Sequence, residues 1–503
     1  MLARSSFRNS KRFFGTRMVP KQTQLFIGGE WVNSANGDTF ETINPYTEEP
    51  ITSVQRASVE DVDRAVDAAR NAFDHGPWRR MSGTERGDLL FKLAELIKKN
   101  GEELAHLEAL DNGKPITLAK IVDVSNSYLT YKYYAGFANK FVGDTISAPG
   151  DFHAYTRKEP VGVAAQIIPW NVPMLMQAWK LAPALAAGCT VVMKTAEQTP
   201  LSALRVGELI KEAGFPDGVV NILSGFGEDA GAHLVRHPGV DKVAFTGSTE
   251  VGLDIMRNSS TSGLKRVTLE LGGKSPFIIC EDANIEESIQ QANFSLFFNS
   301  GQVCIAASRL FVHEKIYDEF AEKSAKLASK AVLGNGLDPN TTQGPQISKE
   351  QQNKIWGYIQ KGKQEGASCL TGGEEYEGKG FFVKPTVFAD VQDDMTIAKE
   401  EIFGPVMQIL KFSDYEDVIK RANNTDYGLG AGVITNDIGR AFHLTNGLRA
   451  GTVFVNCYDI FDPTLPFGGY KNSGLGRENG LEGLENYLET KTVIMSRPEG
   501  SLP

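Results

Sequence analysis

Two stretches of the chain hold residue types suited to acyl chemistry. Cys304 lies in Ser300-Gly301-Gln302-Val303-Cys304, after an apolar helical pattern and before a strand. A thiolate is a nucleophile toward a carbonyl carbon, whereas a lone cysteine more often serves as a small core hydrophobe. On residues alone both readings stay open for Cys304. Cys189, Cys280 and Cys457 sit in or beside apolar strands and read as core. Glu270 lies inside Val267-Thr268-Leu269-Glu270-Leu271-Gly272-Gly273. A carboxylate in such a strand needs either a partner or a raised pKa, and a raised pKa suits a general base. An ion pair with Lys265 or Lys274 is the alternative.

Three further stretches suit an anionic ligand. Gly225-Phe226-Gly227-Glu228-Asp229-Ala230-Gly231 joins a strand to a helix, but its spacing is one residue longer than the usual dinucleotide fingerprint. A helix-entry turn explains it equally well. Phe245-Thr246-Gly247-Ser248-Thr249-Glu250 also joins a strand to a helix. Ser248 or Thr249 can cap that helix, whose first amides suit a pyrophosphate; capping without a ligand is the alternative. Lys194 and Glu197 fall just beyond the predicted strand Thr190–Met193. Ligands of parallel sheets bind beyond the carboxyl ends of strands. A carboxylate there can accept from both ribose hydroxyls and would repel a 2′-phosphate; a surface ion pair is the alternative.

The elements that position these residues alternate along the chain. Val62, Ala65, Val66, Ala69 and Phe73 repeat at helical spacing behind a capping box from Ser58 to Asp61. Leu89 to Ile97 marks a second helix, stopped by Asn100-Gly101. Then come a strand over Val163–Ile168, a helix over Pro173–Ala187 ending at Gly188, and a strand over Thr190–Met193. A helix over Leu201–Ala213, strands over Val219–Leu223 and Val243–Phe245, and a helix over Glu250–Met256 complete the series. A second unit begins near Gly272-Gly273, with strands over Pro276–Cys280 and Leu310–Val312 around a helix over Ile285–Phe298. Tyr487–Met495 reads as a final strand. Short, continuously apolar strands alternating with helices predict a doubly wound parallel α/β fold.

Six stretches together resemble the aldehyde dehydrogenase superfamily, and in detail its mitochondrial and cytosolic class 1/class 2 enzymes. They are Ile168–Asn171, Phe245–Gly252, Leu269–Pro276, Gly301–Cys304, Glu400–Val406 and Pro466–Gly476, and the likeness runs from Leu25 to Thr492. The resemblance implies a catalytic thiol at Cys304, a general base at Glu270 and an oxyanion-stabilising amide at Asn171, with Lys180 and Glu478 in a proton relay. It implies NAD as cofactor, with Lys194 and Glu197 at the adenosine ribose and Trp170 and Ser248 near the pyrophosphate. Ile168, Pro169, Gly227, Gly231, Phe245, Gly247 and Val251 complete that surface. Glu401 corresponds to the residue at the nicotinamide ribose, and Phe403 to the ring beside the nicotinamide. Trp179, Phe461 and Phe467 match walls of an aromatic substrate funnel. Val172 stands where mitochondrial relatives carry an aromatic residue, and Met176 is close enough to enter the space.

The implied fold has a doubly wound parallel-sheet NAD-binding domain (residues 18–139 and 161–272) and an α/β catalytic domain (273–472). A small β oligomerisation element (140–160 and 486–499) would assemble a homotetramer. Retention of Glu270 points to hydrolysis of the acyl-enzyme rather than transfer to coenzyme A. A catalytically reduced structural or binding protein on the same scaffold is the alternative, and the joint presence of Cys304, Glu270 and Asn171 weighs against it.

Composition agrees. The 503 residues carry a net charge of −10, with 41% hydrophobic and 23% charged residues. That excludes a wholly disordered chain and, with no basic run in the body, a nucleic-acid binder. The 5 Cys are widely spaced and the 7 His form no H-E-x-x-H, so neither a disulfide framework nor a bound metal is expected. Val161–Trp179 is uncharged, yet it includes Pro169, Pro173, Gln166, Asn171 and Gln177 and so reads as buried protein, not a membrane span. Residues 1–17 are basic and acid-free. Arg4, Arg8, Lys11 and Arg12 would share one helical face opposite Leu2 and Phe13, the pattern of a mitochondrial transit segment directing the chain to the matrix. Translation from Met18 would leave the product cytosolic.

Overall fold

The computed structural model describes residues 20–498 and 500, so the transit-segment expectation for 1–17 lies outside the described residues. An 8-stranded sheet has the order Gly474–Leu475, Arg266–Glu270, Lys242–Thr246, Val163–Ile167, Thr190–Lys194, Val220–Leu223, Leu25–Ile27, Glu30–Val32. From Arg266–Glu270 to Val220–Leu223 every pairing is parallel. A 7-stranded sheet has the order Ser368–Thr371, Thr386–Ala389, Val406–Phe412, Arg309–His313, Pro276–Ile279, Gly430–Ile434, Thr452–Val455. It too is parallel, except at the edge strand Ser368–Thr371. A 3-stranded antiparallel sheet joins Leu488–Ser496, Phe152–Pro160 and Thr145–Ile146.

Local chemistry explains where the elements begin and end. Helix Val59–Asp74 starts on a full capping box between Ser58 and Asp61. Helix Pro173–Ala187 has Pro at its start and Gly188 in the left-handed conformation at its end (φ 99°), where a side chain would be strained. Its 15 residues are all buried, because it fills the space between the first sheet and the surrounding helices. Gly214 ends helix Leu201–Ala213 in the same way. Strands Val163–Ile167, Thr190–Lys194 and Val220–Leu223 are buried along their whole length, as both faces of the sheet are covered.

Three features differ from the sequence reading. The first sheet has antiparallel edges, Leu25–Ile27 with Glu30–Val32 on one side and Gly474–Leu475 on the other. Lys194 is the last residue of its strand rather than the first beyond it. A π-helical turn over Ala119–Val124, unforeseen, packs beside helix Pro173–Ala187. Among the described residues no helix is long and apolar enough to cross a membrane.

The two large sheets meet end to end around the site. Ile167, Lys194, Thr246 and Glu270 are the carboxyl-terminal residues of parallel neighbours in the first sheet, so they share one edge. Gly273, Cys304 and Phe403 each lie shortly before a strand of the second sheet. The cavity forms where these two edges face each other.

Candidate active site

A cavity of about 220 Å³ is lined by residues from both sheets. It brings together Pro169, Trp170, Asn171, Val172, Met176, Trp179, Gly247, Ser248, Glu270, Cys304, Glu401, Phe403, Phe461, Phe467 and Glu478. Pro169 and Glu478, 309 positions apart in sequence, therefore line one cavity.

Cys304 is placed by an unusual turn. Asn299, Ser300 and Gly301 are consecutive residues with positive φ (49°, 58° and 73°), which reverses the chain after helix Ile285–Phe297. A Cβ at Gly301 would overlap the Gly404 carbonyl, so glycine is needed both for φ and for close approach. Burial and the neighbouring carboxyls of Glu270, Glu401 and Asp459 push the Cys304 thiol above its ordinary range. Asn171 follows strand Val163–Ile167 and is buried, with its Nδ2 donating to the Gln302 carbonyl at 3.0 Å.

Glu270 ends its strand with both carboxyl oxygens buried and without a hydrogen-bond partner. Lys274 instead donates to Gln408 and Lys265 to Ser262, so neither forms the ion pair considered above. Burial first, and then the nearby Glu478, hold the Glu270 carboxyl well above the usual range, while Lys180 and Arg477 oppose the shift. Lys180 is fully buried behind the cavity, paired with Glu478 and donating to Thr246 Oγ1 at 2.7 Å. Glu401 accepts from the Gly273 amide at 2.9 Å. Burial pushes its carboxyl up to about 7. Side chains at Gly272 or Gly273 would collide with Glu401 and with the Cys304 carbonyl, respectively.

The structure also links several of the remaining predicted residues by direct contacts. Ile168 donates its amide to the Lys194 carbonyl at 3.2 Å, which joins the two stretches. Lys194 donates to the Gly225 carbonyl at 2.9 Å and pairs with Glu197 at 3.4 Å. Gly227 and Gly231 bound a π-helical turn, and Gly231 lies against the Lys194 stem. Ser248 caps helix Thr249–Ser259 by accepting from Val251, and Phe245 packs under Gly247. The chain thus offers the amides of a capped helix at Ser248, a glycine turn against Lys194, and the carboxylates of Glu197 and Glu401. That donor and acceptor set fits a dinucleotide diphosphate.

Also in the cavity lining, Trp179 packs against Phe467 (centroids 5.2 Å apart) and Phe461 (6.4 Å). Trp170 meets Phe403 edge to face at 5.3 Å. Sequence reasoning missed Val122, Leu175, Phe298, Val303, Gln351 and Lys354, which also line the cavity. Leu175 and Val303 adjoin recognised residues and could have been found from them. Val122 sits on the unforeseen π-helical turn, and Gln351 and Lys354 come from the distant helix Lys349–Gln364. Elsewhere, Asp63, His233 and His237 approach one another closely enough to suggest metal ligands. However, His237 Nδ1 accepts from the Gly239 amide at 3.0 Å, leaving the Nε2 proton to face Asp63. This is a hydrogen-bond cluster.

The family model described as aldehyde dehydrogenase family matches residues 31–493. The chain is 58% identical over 477 residues to the mitochondrial aldehyde dehydrogenase of Homo sapiens, covering 95% of this chain and 92% of that one. It is 53% identical over 471 residues to a mitochondrial benzaldehyde dehydrogenase of Antirrhinum majus, covering 94% and 88%. Its structure superposes on an NAD⁺ complex of aldehyde dehydrogenase from Bacillus cereus with a TM-score of 0.94, at 53% identity and covering 95% of this chain and 97% of that one.

Proposed function

The chain belongs to the aldehyde dehydrogenase family, and from that premise we propose that it oxidises aldehydes to carboxylic acids with NAD⁺ through a Cys304 acyl-enzyme. The observation that carries this reading is one cavity holding Cys304, Asn171 and an unpartnered Glu270, with Ser248, Glu401 and Phe403 in the same lining.

Cys304 attacks the aldehyde carbonyl and forms a tetrahedral adduct. Asn171 Nδ2 and the Cys304 amide hold the oxyanion, each such donor being worth ~3–4 kcal/mol. NAD⁺, when bound, would supply the acceptor for the hydride that leaves the adduct as the thioester forms. Glu270 then takes a proton from water, and the hydroxide releases the acid. A carboxyl raised by burial is a stronger base than an ordinary one once its proton has left. The Lys180–Glu478 pair, which adjoins Glu270 and opens on the cavity, is the route for that proton. Burial and the carboxyls of Glu270, Glu401 and Asp459 hold the Cys304 thiol above its ordinary range, and a positive charge brought into the cavity would oppose that shift.

Lys194 and Glu197 would hold the adenosine ribose, Trp170 and Ser248 the diphosphate, and Glu401 with Phe403 the nicotinamide end. Val172 leaves the funnel wide beside Asn171, so medium-chain and aromatic aldehydes are preferred to acetaldehyde. The enzyme works in the mitochondrial matrix, a reading supported by its mitochondrial relatives and its basic first residues. It assembles as a homotetramer through strand Leu488–Ser496, which lies at the edge of its sheet with Ile494 and Met495 exposed.

The decisive assay mixes the protein with NAD⁺ and a panel of short, medium-chain and aromatic aldehydes and follows NADH absorbance. Aldehyde-dependent NADH formation is expected. Its absence with every aldehyde overturns the proposal in favour of a structural role for the scaffold.

A further inference from the structure

We infer that Asn299, supported by Asn112, is the positioning residue that aims the Asn171 amide; the inference rests on Asn171 being the oxyanion donor. Asn171 and Cys304 belong to different sheets: one follows strand Val163–Ile167, the other precedes strand Arg309–His313. An oxyanion donor is useful only if its distance from the nucleophile is held across that junction.

Side-chain amides make the connection. Asn299 Nδ2 donates to the Asn171 carbonyl at 3.0 Å and to the Gln302 carbonyl at 3.3 Å. Asn171 Nδ2 donates to the same Gln302 carbonyl at 3.0 Å. The loop holding the donor and the loop holding the thiol are thus closed on each other through Asn299. Asn112, at the end of helix Gly101–Asn112, reaches the Trp170 carbonyl at 2.7 Å and the Asn171 carbonyl at 3.3 Å from the opposite side. Asn112, Asn171, Asn299 and Gln302 are all buried. An amide nitrogen has two hydrogens. With one fixed on the Gln302 carbonyl, the direction of the other is set by the plane of the group.

Two features that oppose stability mark Asn299 as retained for this task. Its backbone is left-handed (φ 49°, ψ 37°), a conformation unfavourable for any residue other than glycine and best tolerated by Asn and Asp. Its Oδ1, like that of Asn112, is buried without a donor among the described protein groups. What each amide gains is confined to the carbonyls its nitrogen reaches.

Asn299→Gly preserves the left-handed backbone and removes the amide. We expect kcat for aldehyde oxidation to fall ~10–100-fold, the scale of a small misplacement of a catalytic group, with NAD⁺ affinity within ~2-fold. In an Asn171→Ala background the same substitution should change kcat by less than ~3-fold, because the donor it aims is already gone. Equal losses in both backgrounds would assign Asn299 a general structural role and overturn the inference, as would unchanged kcat in Asn299→Gly alone. Full turnover by Asn171→Ala itself would sink the oxyanion reading and the inference with it. If Asn299→Gly does not fold, Asn112→Ala carried through the same pair of backgrounds gives the same test.

Discussion

The two ends of the cofactor and substrate surface obey opposite electrostatic rules. At the proposed adenosine end Glu197 keeps 32% of its side chain exposed and its oxygens are engaged by Lys194 and Gln198. At the thiol end Glu270 is buried, neither of its oxygens has a partner, and Glu478 stands near it. Recognition of a hydrophilic ribose needs a solvated, paired carboxylate that loses little when it exchanges one partner for another. Base catalysis needs the reverse, a carboxyl denied the partners that would stabilise its charge. On the proposed assignment the same residue type serves both ends because burial differs. If this contrast is correct, substitutions at the buried end should change rates by orders of magnitude, and those at the exposed end should change preference modestly and in a salt-dependent way.

The largest effect is expected at Cys304. Cys304→Ser should lower dehydrogenase and esterase turnover by at least ~10⁴-fold, because a hydroxyl near neutrality is a far weaker nucleophile than a thiolate. NAD⁺ binding, followed by fluorescence quenching, should be nearly intact. Retained oxidation by the Ser variant would remove Cys304 from the mechanism.

Glu270→Gln should come next, with steady-state turnover down ~10²–10⁴-fold, the usual contribution of a general base. Rapid mixing should still show a burst of NADH and an accumulated acyl-enzyme, since hydride departure does not require the base. The pH profile sharpens the test. The base is active only when deprotonated, so activity should rise with pH through a limb above the normal carboxyl range. Lys180 opposes the upward shift of Glu270, so Lys180→Met should move that limb to still higher pH. Movement to lower pH would contradict the assigned electrostatics.

How much of this arrangement was legible in the chain follows from range. Helices Pro173–Ala187 and Leu201–Ala213 are readable to the residue because Gly188 and Gly214 end them locally. The parallel strands are legible as apolar runs. The antiparallel edges are not: Leu25–Ile27 and Gly474–Leu475 are only 3 and 2 residues long and depend on partners far away. Most of the candidate site came from motifs at strand ends. Asn112 and Asn299 were invisible for a different reason, since a buried asparagine carries no periodic signal and its use depends on which carbonyls tertiary packing presents to it.

A moderate effect is expected in the funnel, between the two extremes. Val172 is partly buried at the cavity wall beside Asn171, with Met176 one helical turn on. Val172→Phe should fill space, favouring acetaldehyde over a medium-chain or aromatic aldehyde by ~10-fold in relative kcat/KM, within the range set by a few methylenes. Acetaldehyde oxidation by the wild type would be no objection, because the reacting groups are the same. An unchanged ranking of aldehydes would be, and would point to Met176 occupying the space instead.

The smallest effect, and the one that tests the exposed end directly, is expected at Glu197. The preference for NAD⁺ over NADP⁺ has two physical sources there: acceptance of ribose hydroxyl hydrogens and repulsion of a 2′-phosphate. Gln retains a carbonyl acceptor but removes the charge, so Glu197→Gln should act mainly on the second source. Lys194 would also become available to the phosphate, since its Nζ would lose the carboxylate and keep only the Gly225 carbonyl. The side chain is one-third exposed, so screening limits the gain, and a ~3–10-fold narrowing of the NAD⁺ to NADP⁺ ratio in kcat/KM is expected, shrinking as salt rises. Glu270→Gln, by contrast, should leave the cofactor ratio alone, because that carboxyl acts after the hydride has gone. A salt-independent change of 10²-fold or more at Glu197 would mean that the adenosine end is as desolvated in use as the thiol end, and the contrast between them would fail. Equal use of both cofactors by the wild type would remove Glu197 from cofactor choice altogether.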